Sequence, residues 1–381
     1  MKYMPELKME DILARCLSDR AYRKRVNDRI DELVKLIDAG HLVEDSPIGE
    51  LARSRVRIRK KYSMWNRLFM DRYSAQYSTP EIIGSYRSAR IDDDVLDIGS
   101  GAGMQCIMFG LRSGCIGIEK DRIRYLSSLL NAEAYGSGAS FKNEDFYLTG
   151  IASARAVFSD PLRMNTRNVR DIVPSPYHIM EKIQAEAYIF DLPPHADLDT
   201  IEFSGEKEYI SVGGELSRFT VYTGRYAESD FSAHIIPAGV HLKGSRYTGG
   251  FAEPHIYDYI YVVDPAVSKA GLLEDFSDMS MISRDERRTV LSCASLRKNF
   301  PGMVFSVHGT YDWPGLQAEM ARMRPKKVYL RYGVSSEEYY TITEKLEHDD
   351  GEGDAYIFRF SEKYIIANKI FDINYNKNSN L

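Results

Sequence analysis

Cysteine is scarce in this chain of 381 residues, and the few that occur stand far apart. The four are Cys16, Cys106, Cys115 and Cys293. Because none belongs to a C-x-x-C pair, the sequence argues against a zinc site and against a disulfide framework. We therefore predict reduced thiols and no bound metal.

An excess of positive charge and a long apolar run are also missing. The formal net charge is −5, so any surface that binds a polyanion has to be local. No apolar stretch is long enough to cross a bilayer, and the N-terminus is charged rather than signal-like. These absences predict a soluble cytoplasmic protein without a membrane partner.

The length of the chain predicts more than one domain, and its hydrophobic content of 44% is enough for each domain to build a core. Changes in the hydrophobic pattern predict a helical region over residues 1–75 and an α/β domain over 76–245. An α+β domain is predicted over 255–371, followed by a flexible polar tail over 372–381.

The stretch Val95–Gly103 predicts a strand, a tight glycine turn and the start of a helix. Val95–Ile98 is a short apolar run interrupted by Asp97, and three glycines follow at alternate positions. Glycine lets a ligand approach backbone amides, and the N–H groups at the start of the next helix favour an anionic group. The dinucleotide fingerprint G-x-G-x-x-G needs its last glycine three positions after Gly101. Met104 occupies that position, so the fingerprint is absent.

A second β-type run ends at Glu119, about 20 positions after Gly99, the separation at which an acid binds ribose hydroxyls. Together with Asp97 and the glycine turn, this arrangement resembles motif I and the second strand of class I S-adenosylmethionine (SAM) methyltransferases. The resemblance implies that Asp97 faces the amino group of the methionine moiety and that Glu119, with Lys120 beside it, binds the ribose. It also makes the turn residues the cofactor cradle: Gly99, Ser100, Gly101 and Gly103.

Two other segments fit the same resemblance. A third strand near Ser140–Lys142 is followed by Asp145 and Phe146, which in this class would contact the adenine amino group and ring. Upstream, Ser78 or Thr79 is predicted to cap a helix that begins at Pro80. In many methyltransferases such a segment closes over the cofactor carboxylate, so Ser78 is a predicted cofactor contact.

The predicted fourth strand ends in Asp160-Pro161-Leu162-Arg163, which resembles the D-P-P-R and D-P-P-Y motifs of nucleic-acid methyltransferases. The resemblance makes Asp160, Pro161 and Arg163 candidate catalytic residues that align the acceptor with the methyl group. The second proline is missing, and Met164 replaces a second arginine that follows this motif in the family. Asp191 ends a rival strand, which we predict as strand five, and it is a further catalytic candidate.

Two later segments narrow the resemblance, Glu208–Leu216 and Tyr259–Leu272. Both are similar to a prokaryotic family of class I methyltransferases with a THUMP-like C-terminal domain. The implied architecture is a Rossmann-like class I SAM methyltransferase sheet with an N-terminal helical region and a C-terminal α+β THUMP-like domain.

The segment from Arg53 to Arg72 is the most basic stretch of the chain. It includes four candidate contacts for RNA phosphates, Arg57, Arg59, Lys60 and Lys61. Trp65, Phe69 and Tyr73 recur at four-residue spacing and predict a helical aromatic stripe. The same pattern also fits an amphipathic helix with a buried stripe and solvated charges, and this alternative stays open.

No cysteine occurs between Cys115 and Cys293, so neither acidic strand end has a cysteine close in sequence. Methylation at C5 of a pyrimidine uses a cysteine nucleophile, whereas transfer to a nitrogen needs mainly alignment of the reactants. We therefore expect SAM as the cofactor and a base nitrogen of structured RNA, tRNA above all, as the acceptor. A small-molecule or protein methyltransferase, or a non-catalytic SAM- or RNA-binding module, are the alternatives.

Overall fold

The computed structural model describes residues 7–161, 166–285 and 288–373. Its helices are α1 (Met9–Ser18), α2 (Arg20–Asp38), α3 (Pro47–Ile58), α4 (Arg72–Tyr77), α5 (Glu81–Arg90), α6 (Met104–Gly110), α7 (Arg122–Tyr135), α8 (Pro176–Lys182), α9 (Pro265–Ala270), α10 (Trp313–Met323) and α11 (Ser336–Leu346). None of the helices in this part of the chain is both long and apolar enough to cross a membrane.

The strands form two sheets. They are β1 (Val95–Ile98), β2 (Cys115–Ile118), β3 (Ser140–Lys142), β4 (Ser153–Ser159), β5 (Gln184–Leu192), β6 (Glu206–Val212), β7 (Glu215–Tyr222), β8 (Phe231–Ile236), β9 (Val240–Gly244), β10 (Tyr259–Val263), β11 (Ser280–Arg284), β12 (Thr289–Cys293), β13 (Gly302–Tyr311), β14 (Lys327–Leu330), β15 (Asp354–Phe360) and β16 (Lys363–Asp372).

The N-terminal helices bury one apolar face each. In α2 the side chains of Val26, Ile30 and Leu33 recur at helical spacing and are all buried, as the sequence predicts. The side chain of Asp19 accepts a hydrogen bond from the backbone N–H of Tyr22 and so caps the start of this helix. These apolar faces pack into one core with residues of α7.

The first sheet has the strand order β3-β2-β1-β4-β5-β7-β6-β8-β9. Strands β1 to β5 pair in parallel, with Ile98 opposite both Ile118 of β2 and Ser159 of β4. The carboxyl ends of these three strands therefore meet at one edge, where ligands of open α/β sheets bind. Since β4 is the neighbour of β1 and β5 lies beyond it, the predicted numbering of these two strands is confirmed.

The second sheet has the order β11-β12-β10-β13-β16-β15-β14. Its strands pair antiparallel except for the parallel pair of β14 and β15. The sequence pattern predicts helices over residues 316–323 and 337–346 and strands over 327–331 and 355–360. They correspond to α10, α11, β14 and β15. The amino-acid sequence therefore indicates the α+β character of this region correctly.

Three local predictions need correction. Trp65, Phe69 and Tyr73 do not share a helix: a 3-10 turn ends at Arg67, extended chain follows, and α4 begins at Arg72. The segment 239–254, whose glycine-rich composition predicts a link to the last domain, includes β9, which pairs antiparallel with β8. The predicted tail begins too early, because β16 runs to Asp372; residues 374–381 lie outside the described part of the chain.

The chain divides into two compact units. One consists of residues 1–205 and 220–228, and the other of residues 206–219 and 229–381. This division places the helices α1 to α5 in the same unit as strands β1 to β5. It therefore differs from the predicted bounds at residues 76 and 245, which were drawn from sequence pattern alone.

Candidate active site

The glycine turn after β1 lies directly beside the end of β2. The N–H groups of Gly99 and Ser100 both donate to the carbonyl oxygen of Ile118, at 2.9 and 3.0 Å. Gly101 adopts a left-handed conformation with φ of +57°, and no atom lies within 4 Å of the position that a Cβ would occupy there. The turn is thus held in place by the sheet and leaves open space above its backbone. Gly103 is needed for packing, because a Cβ at this position would lie only 2.7 Å from the side chain of Ser128.

Asp97 projects its carboxylate from β1 below this turn. Its side chain is buried, and among the described residues the Oδ2 atom has no hydrogen-bond partner. Burial raises the pKa of Asp97 well above its usual value, and the negative charges of Asp160 and Glu119 raise it further. An unpartnered carboxylate oxygen in such surroundings favours a cationic ligand group, which would supply the missing hydrogen bond and relieve the repulsion. Ser100, whose hydroxyl is likewise buried without a partner in the described chain, lies in the turn above.

Glu119 follows β2 and bridges two backbone segments. Its Oε2 atom accepts from the N–H of Gly101 and its Oε1 atom from the N–H of Asp121, both at 2.8 Å. Burial raises the pKa of Glu119, while these two N–H donors oppose the increase. The carboxylate is therefore fixed at the rim of the turn, where its remaining lone pairs can accept from hydroxyl groups. Lys120 beside it is exposed.

Asp145 and Phe146 follow β3. The Oδ1 atom of Asp145 accepts from the N–H of Tyr147 at 2.9 Å, which makes a tight turn at the strand end. Phe146 is buried, with its ring centroid 5.1 Å from that of Tyr147. The carboxylate of Asp145 remains half-exposed. A hydrogen-bond acceptor beside an aromatic face is the pairing that a purine with an exocyclic amine requires.

Ser78 differs from its predicted role as an N-terminal cap. It is the C-terminal cap of α4, while Pro80 precedes α5 without a side-chain capping bond. The hydroxyl of Tyr62 donates to Ser78 Oγ at 2.8 Å and approaches the carbonyl oxygen of Thr79 at 2.7 Å. These bonds hold the chain between α4 and α5 in a fixed path.

Asp160 and Pro161 directly follow β4. Because Ile98 pairs with Ser159, Asp160 and the first glycine of the turn leave the sheet at neighbouring strand ends. Asp160 is partly exposed and Pro161 is buried. Arg163, the remaining residue of the predicted D-P-x-R motif, lies outside the described residues.

Asp191 occupies a different environment from the one predicted for an acceptor-binding residue. Its carboxylate is fully buried and forms an ion pair with Arg87 of α5, at 2.8 Å between Nη2 and Oδ1. Thr220 also receives a hydrogen bond from Arg87 Nη2, at 2.7 Å. The carboxylate therefore neutralises a buried cation, and a contact between Asp191 and the acceptor stays a prediction.

Arg87 is the residue of this region that sequence reasoning missed. Burial disfavours its charged form, but the carboxylate of Asp191 outweighs that cost and keeps the pKa of Arg87 above its usual range. The charge of Asp160 contributes in the same direction, and Arg87 in turn opposes the upward shift of the Asp97 pKa. One buried guanidinium therefore balances three acids at the ends of β1, β4 and β5. The sequence signal for Arg87 is its spacing, because it follows the buried Ile83 by four residues and therefore lies on the same apolar face of α5.

The predicted phosphate contacts have partners within the chain. Arg59 pairs with Asp38 at 2.9 Å, and Arg57 donates to Gln76 Oε1 at 3.1 Å. The ammonium group of Lys61 donates to the carbonyl oxygens of Ala75 and Gln76 at 3.0 and 2.7 Å. Lys60 is exposed. These contacts give three of the four cations a structural role, and contact with RNA stays a prediction.

The second unit contains a separate group of ligand-type side chains on β6 and β9. Oxygen and nitrogen atoms of Glu206, Glu208 and His241 lie within 4.8 Å of one another. Glu208 and His241 approach to 3.6 Å, and the hydroxyl of Ser232 donates to Glu206. Donor atoms of this kind could hold a metal ion, and the absence of a metal stays a prediction from the sequence.

Comparison with models of protein families gives no match, and comparison with curated proteins gives none either. Among solved structures, a proposed methyltransferase from Porphyromonas gingivalis W83 is similar with a TM-score of 0.68 at 18% sequence identity, over 96% of this chain and 100% of that chain. This likeness, over nearly the whole of both chains, concerns the fold. The present chain therefore has a Rossmann-like methyltransferase fold.

Two further similarities are partial. An RNA methyltransferase from Salinibacter ruber in complex with S-adenosyl-L-homocysteine matches with a TM-score of 0.30 and 17% identity, over 39% of this chain and 95% of that chain. A tRNA (m1A58) methyltransferase from Aquifex aeolicus matches with a TM-score of 0.29 and 18% identity, over 39% and 69% of the two chains. At these scores neither bears on the substrate of this chain.

Proposed function

We propose that this protein is a SAM-dependent methyltransferase. The observation that carries the proposal is the buried Oδ2 atom of Asp97, which has no hydrogen-bond partner within the described part of the chain. It lies below an open glycine turn whose rim is formed by Glu119. Asp97 would hold the ammonium group of the cofactor, Glu119 its ribose hydroxyls, and Asp145 with Phe146 its adenine. Ser100 and the backbone of the turn would contact the amino-acid portion, with Ser78 and Lys120 at the edge of the site.

When bound, SAM supplies a methyl group on a positively charged sulfur, and transfer requires no metal and no covalent enzyme intermediate. The task of the chain is to align the acceptor and exclude water. Asp160 and the backbone of Pro161 would hold the acceptor, because they follow β4 at the strand end beside the glycine turn. A carboxylate there can accept a hydrogen bond from an amino group and orient the nitrogen lone pair towards the methyl group.

We further propose that the acceptor is a base nitrogen of structured RNA, with tRNA as the first substrate to test. The Asp160-Pro161 strand end resembles that of nucleic-acid methyltransferases, and Lys60 is exposed in the most basic part of the chain. The segment Tyr259–Leu272 resembles that of a methyltransferase family with a THUMP-like C-terminal domain. The absence of a cysteine near this strand end favours a nitrogen over C5 of a pyrimidine.

One observation favours a second candidate, a methyltransferase for a small molecule. Three of the four predicted phosphate contacts, Arg57, Arg59 and Lys61, are engaged within the chain, and the net charge is −5, so fewer cations are available to RNA than the sequence predicts. A small acceptor would need only the strand-end pocket at Asp160.

The two candidates are separated by incubating the protein with methyl-labelled SAM and either bulk tRNA from a methylation-deficient strain or a metabolite extract. We expect label in tRNA, and we expect Asp160→Ala to lower turnover by a factor of ~100 or more while binding of the cofactor persists. Label confined to the metabolite fraction would replace RNA by a small acceptor. Absence of transfer to either fraction, with no SAM binding, would refute the methyltransferase proposal itself.

A further inference from the structure

Two tyrosines of the short helix α4 form an exposed aromatic pair. Tyr73 and Tyr77 lie one helical turn apart, with ring centroids separated by 4.6 Å and ring planes inclined by 46°. Their exposed fractions are 37% and 55%. Isolated exposed aromatic rings are common, but two touching rings that both face solvent form a continuous apolar surface, and such a surface favours a ligand.

The helix that carries this pair is fixed at both ends. The carboxylate of Asp71 accepts from the N–H of Ser74 at 2.8 Å and caps the first turn. At the other end Lys61 donates to the carbonyl oxygens of Ala75 and Gln76. The two rings are therefore presented on a rigid support, which lowers the entropic cost of binding a flat ligand against them.

Contacts from α7 place the pair beside the candidate active site. The side-chain amide of Asn131 donates to the carbonyl oxygens of Phe69 and of Ala102, at 3.1 and 3.0 Å, and so joins the segment before α4 to the glycine turn. The guanidinium carbon of Arg124 lies 4.4 Å from the ring centroid of Tyr73. Burial raises the pKa of Tyr73, and the negative charge of Asp160 adds to the increase, as expected for a ring close to the end of β4.

We propose that Tyr73 and Tyr77 are a stacking platform for a nucleobase of the acceptor RNA, next to the strand end that holds the reacting base. This inference rests on the proposed function and adds a subsite to it. Stacking on aromatic side chains is tolerant of base identity, and each stacked base contributes enough binding energy to change affinity roughly tenfold or more. The platform assigns Lys61 a positioning role, since its ammonium group holds the end of α4.

The test uses the full-length protein, methyl-labelled SAM and bulk tRNA, with the variants Tyr73→Ala and Tyr77→Ala. We expect the KM for tRNA to rise roughly tenfold in each variant while the affinity for S-adenosylhomocysteine changes by less than about twofold. Tyr73→Phe and Tyr77→Phe keep the rings and should restore a wild-type KM. Leu36→Ala is the matched control, because Leu36 is an exposed apolar side chain of α2 and its removal should leave the KM unchanged.

Each outcome has a distinct meaning once thermal unfolding has shown that the variants fold. Labelled tRNA with an unchanged KM in both alanine variants overturns the platform and leaves the RNA proposal standing. An equal loss of affinity for S-adenosylhomocysteine means that the rings cover the cofactor instead, which also overturns the platform. Absence of label in tRNA with the wild-type protein refutes the RNA substrate and the platform together.

Discussion

Asp97 is costly to ionise in this fold, because it is buried and lies near the charges of Asp160 and Glu119. A ligand ammonium group would reverse that cost by pairing with the carboxylate. Asp97, Glu119 and Asp160 can be identified from sequence, since each directly follows or lies within a short apolar run. The partnership of Arg87 with Asp191 cannot, because it joins residues far apart in the chain through packing of α5 against the sheet.

At this scale we first predict a pH dependence of cofactor binding. Only ionised Asp97 can pair with the ammonium group, so the affinity for S-adenosylhomocysteine should fall as the pH is lowered through the Asp97 pKa, which lies above the usual 3.8. Calorimetry at a series of pH values from neutral downwards measures this dependence. The Asp97→Asn variant should bind weakly and lose most of the dependence; an equally steep pH profile in that variant would rule out Asp97 as its source.

A second prediction concerns Asp191. Asp191→Ala leaves the guanidinium of Arg87 buried without its ion-pair partner, which should lower the free energy of unfolding by roughly 3–5 kcal/mol. Chemical denaturation measures the loss. The double variant Arg87→Met with Asp191→Leu removes both charges and should recover much of the stability. If Asp191→Ala unfolds like the wild type but is inactive, Asp191 acts on the acceptor rather than on Arg87.

Among the elements, those with a strong local pattern were predictable. The strands β1, β2, β4 and β5 combine apolar runs with turn residues. The glycine turn follows β1 and is hydrogen-bonded to the end of β2. The aromatic spacing at Trp65, Phe69 and Tyr73 was misleading because a 3-10 turn and extended chain interrupt the helix there. Spacing alone does not reveal such a break, since Phe69 is buried by contacts with other elements rather than by a helical neighbour.

Helix α9 provides a prediction at this scale. Asp264 caps its start by accepting from the N–H of Ala266 at 2.9 Å, and burial raises the pKa of Asp264 from 3.8 to about 6. Between these values the folded protein retains a proton that the unfolded chain has lost. The contribution of Asp264 to the free energy of unfolding should therefore decrease as the pH rises from about 4 to 6.

Urea denaturation at both pH values measures this effect. Asp264→Asn keeps a capping oxygen but cannot titrate, so the difference in stability between wild type and variant should change with pH in the stated direction. A difference that stays constant between the two pH values would show that Asp264 titrates normally in the folded protein.

For the whole molecule, a net charge of −5 confines any contact with RNA phosphates to a local surface. Lys60 and Arg57 are exposed members of the predicted basic set, and Arg57 also donates to Gln76, whereas Lys61 holds the end of α4. We expect Lys60→Ala to flatten the slope of log affinity for tRNA against log salt by roughly one unit. Lys61→Ala should instead lower the thermal midpoint.

The salt dependence is measured by titrating labelled tRNA at several salt concentrations. Lys24→Ala, which removes an exposed lysine from α2, is the control and should leave the slope unchanged. Equal slopes for Lys60→Ala and the wild type would mean that Lys60 does not contact an RNA phosphate.

The central claim, that the glycine turn and its acids bind SAM, is tested most directly by calorimetry with S-adenosylhomocysteine. We expect the wild-type protein to bind in the micromolar range and Glu119→Ala to bind at least about tenfold more weakly, because the charge-assisted bonds to the ribose are lost. Glu144→Ala changes an exposed glutamate nearby and should bind normally. Folded wild-type protein that does not bind, or a Glu119→Ala variant that binds as tightly as the wild type, would contradict the account.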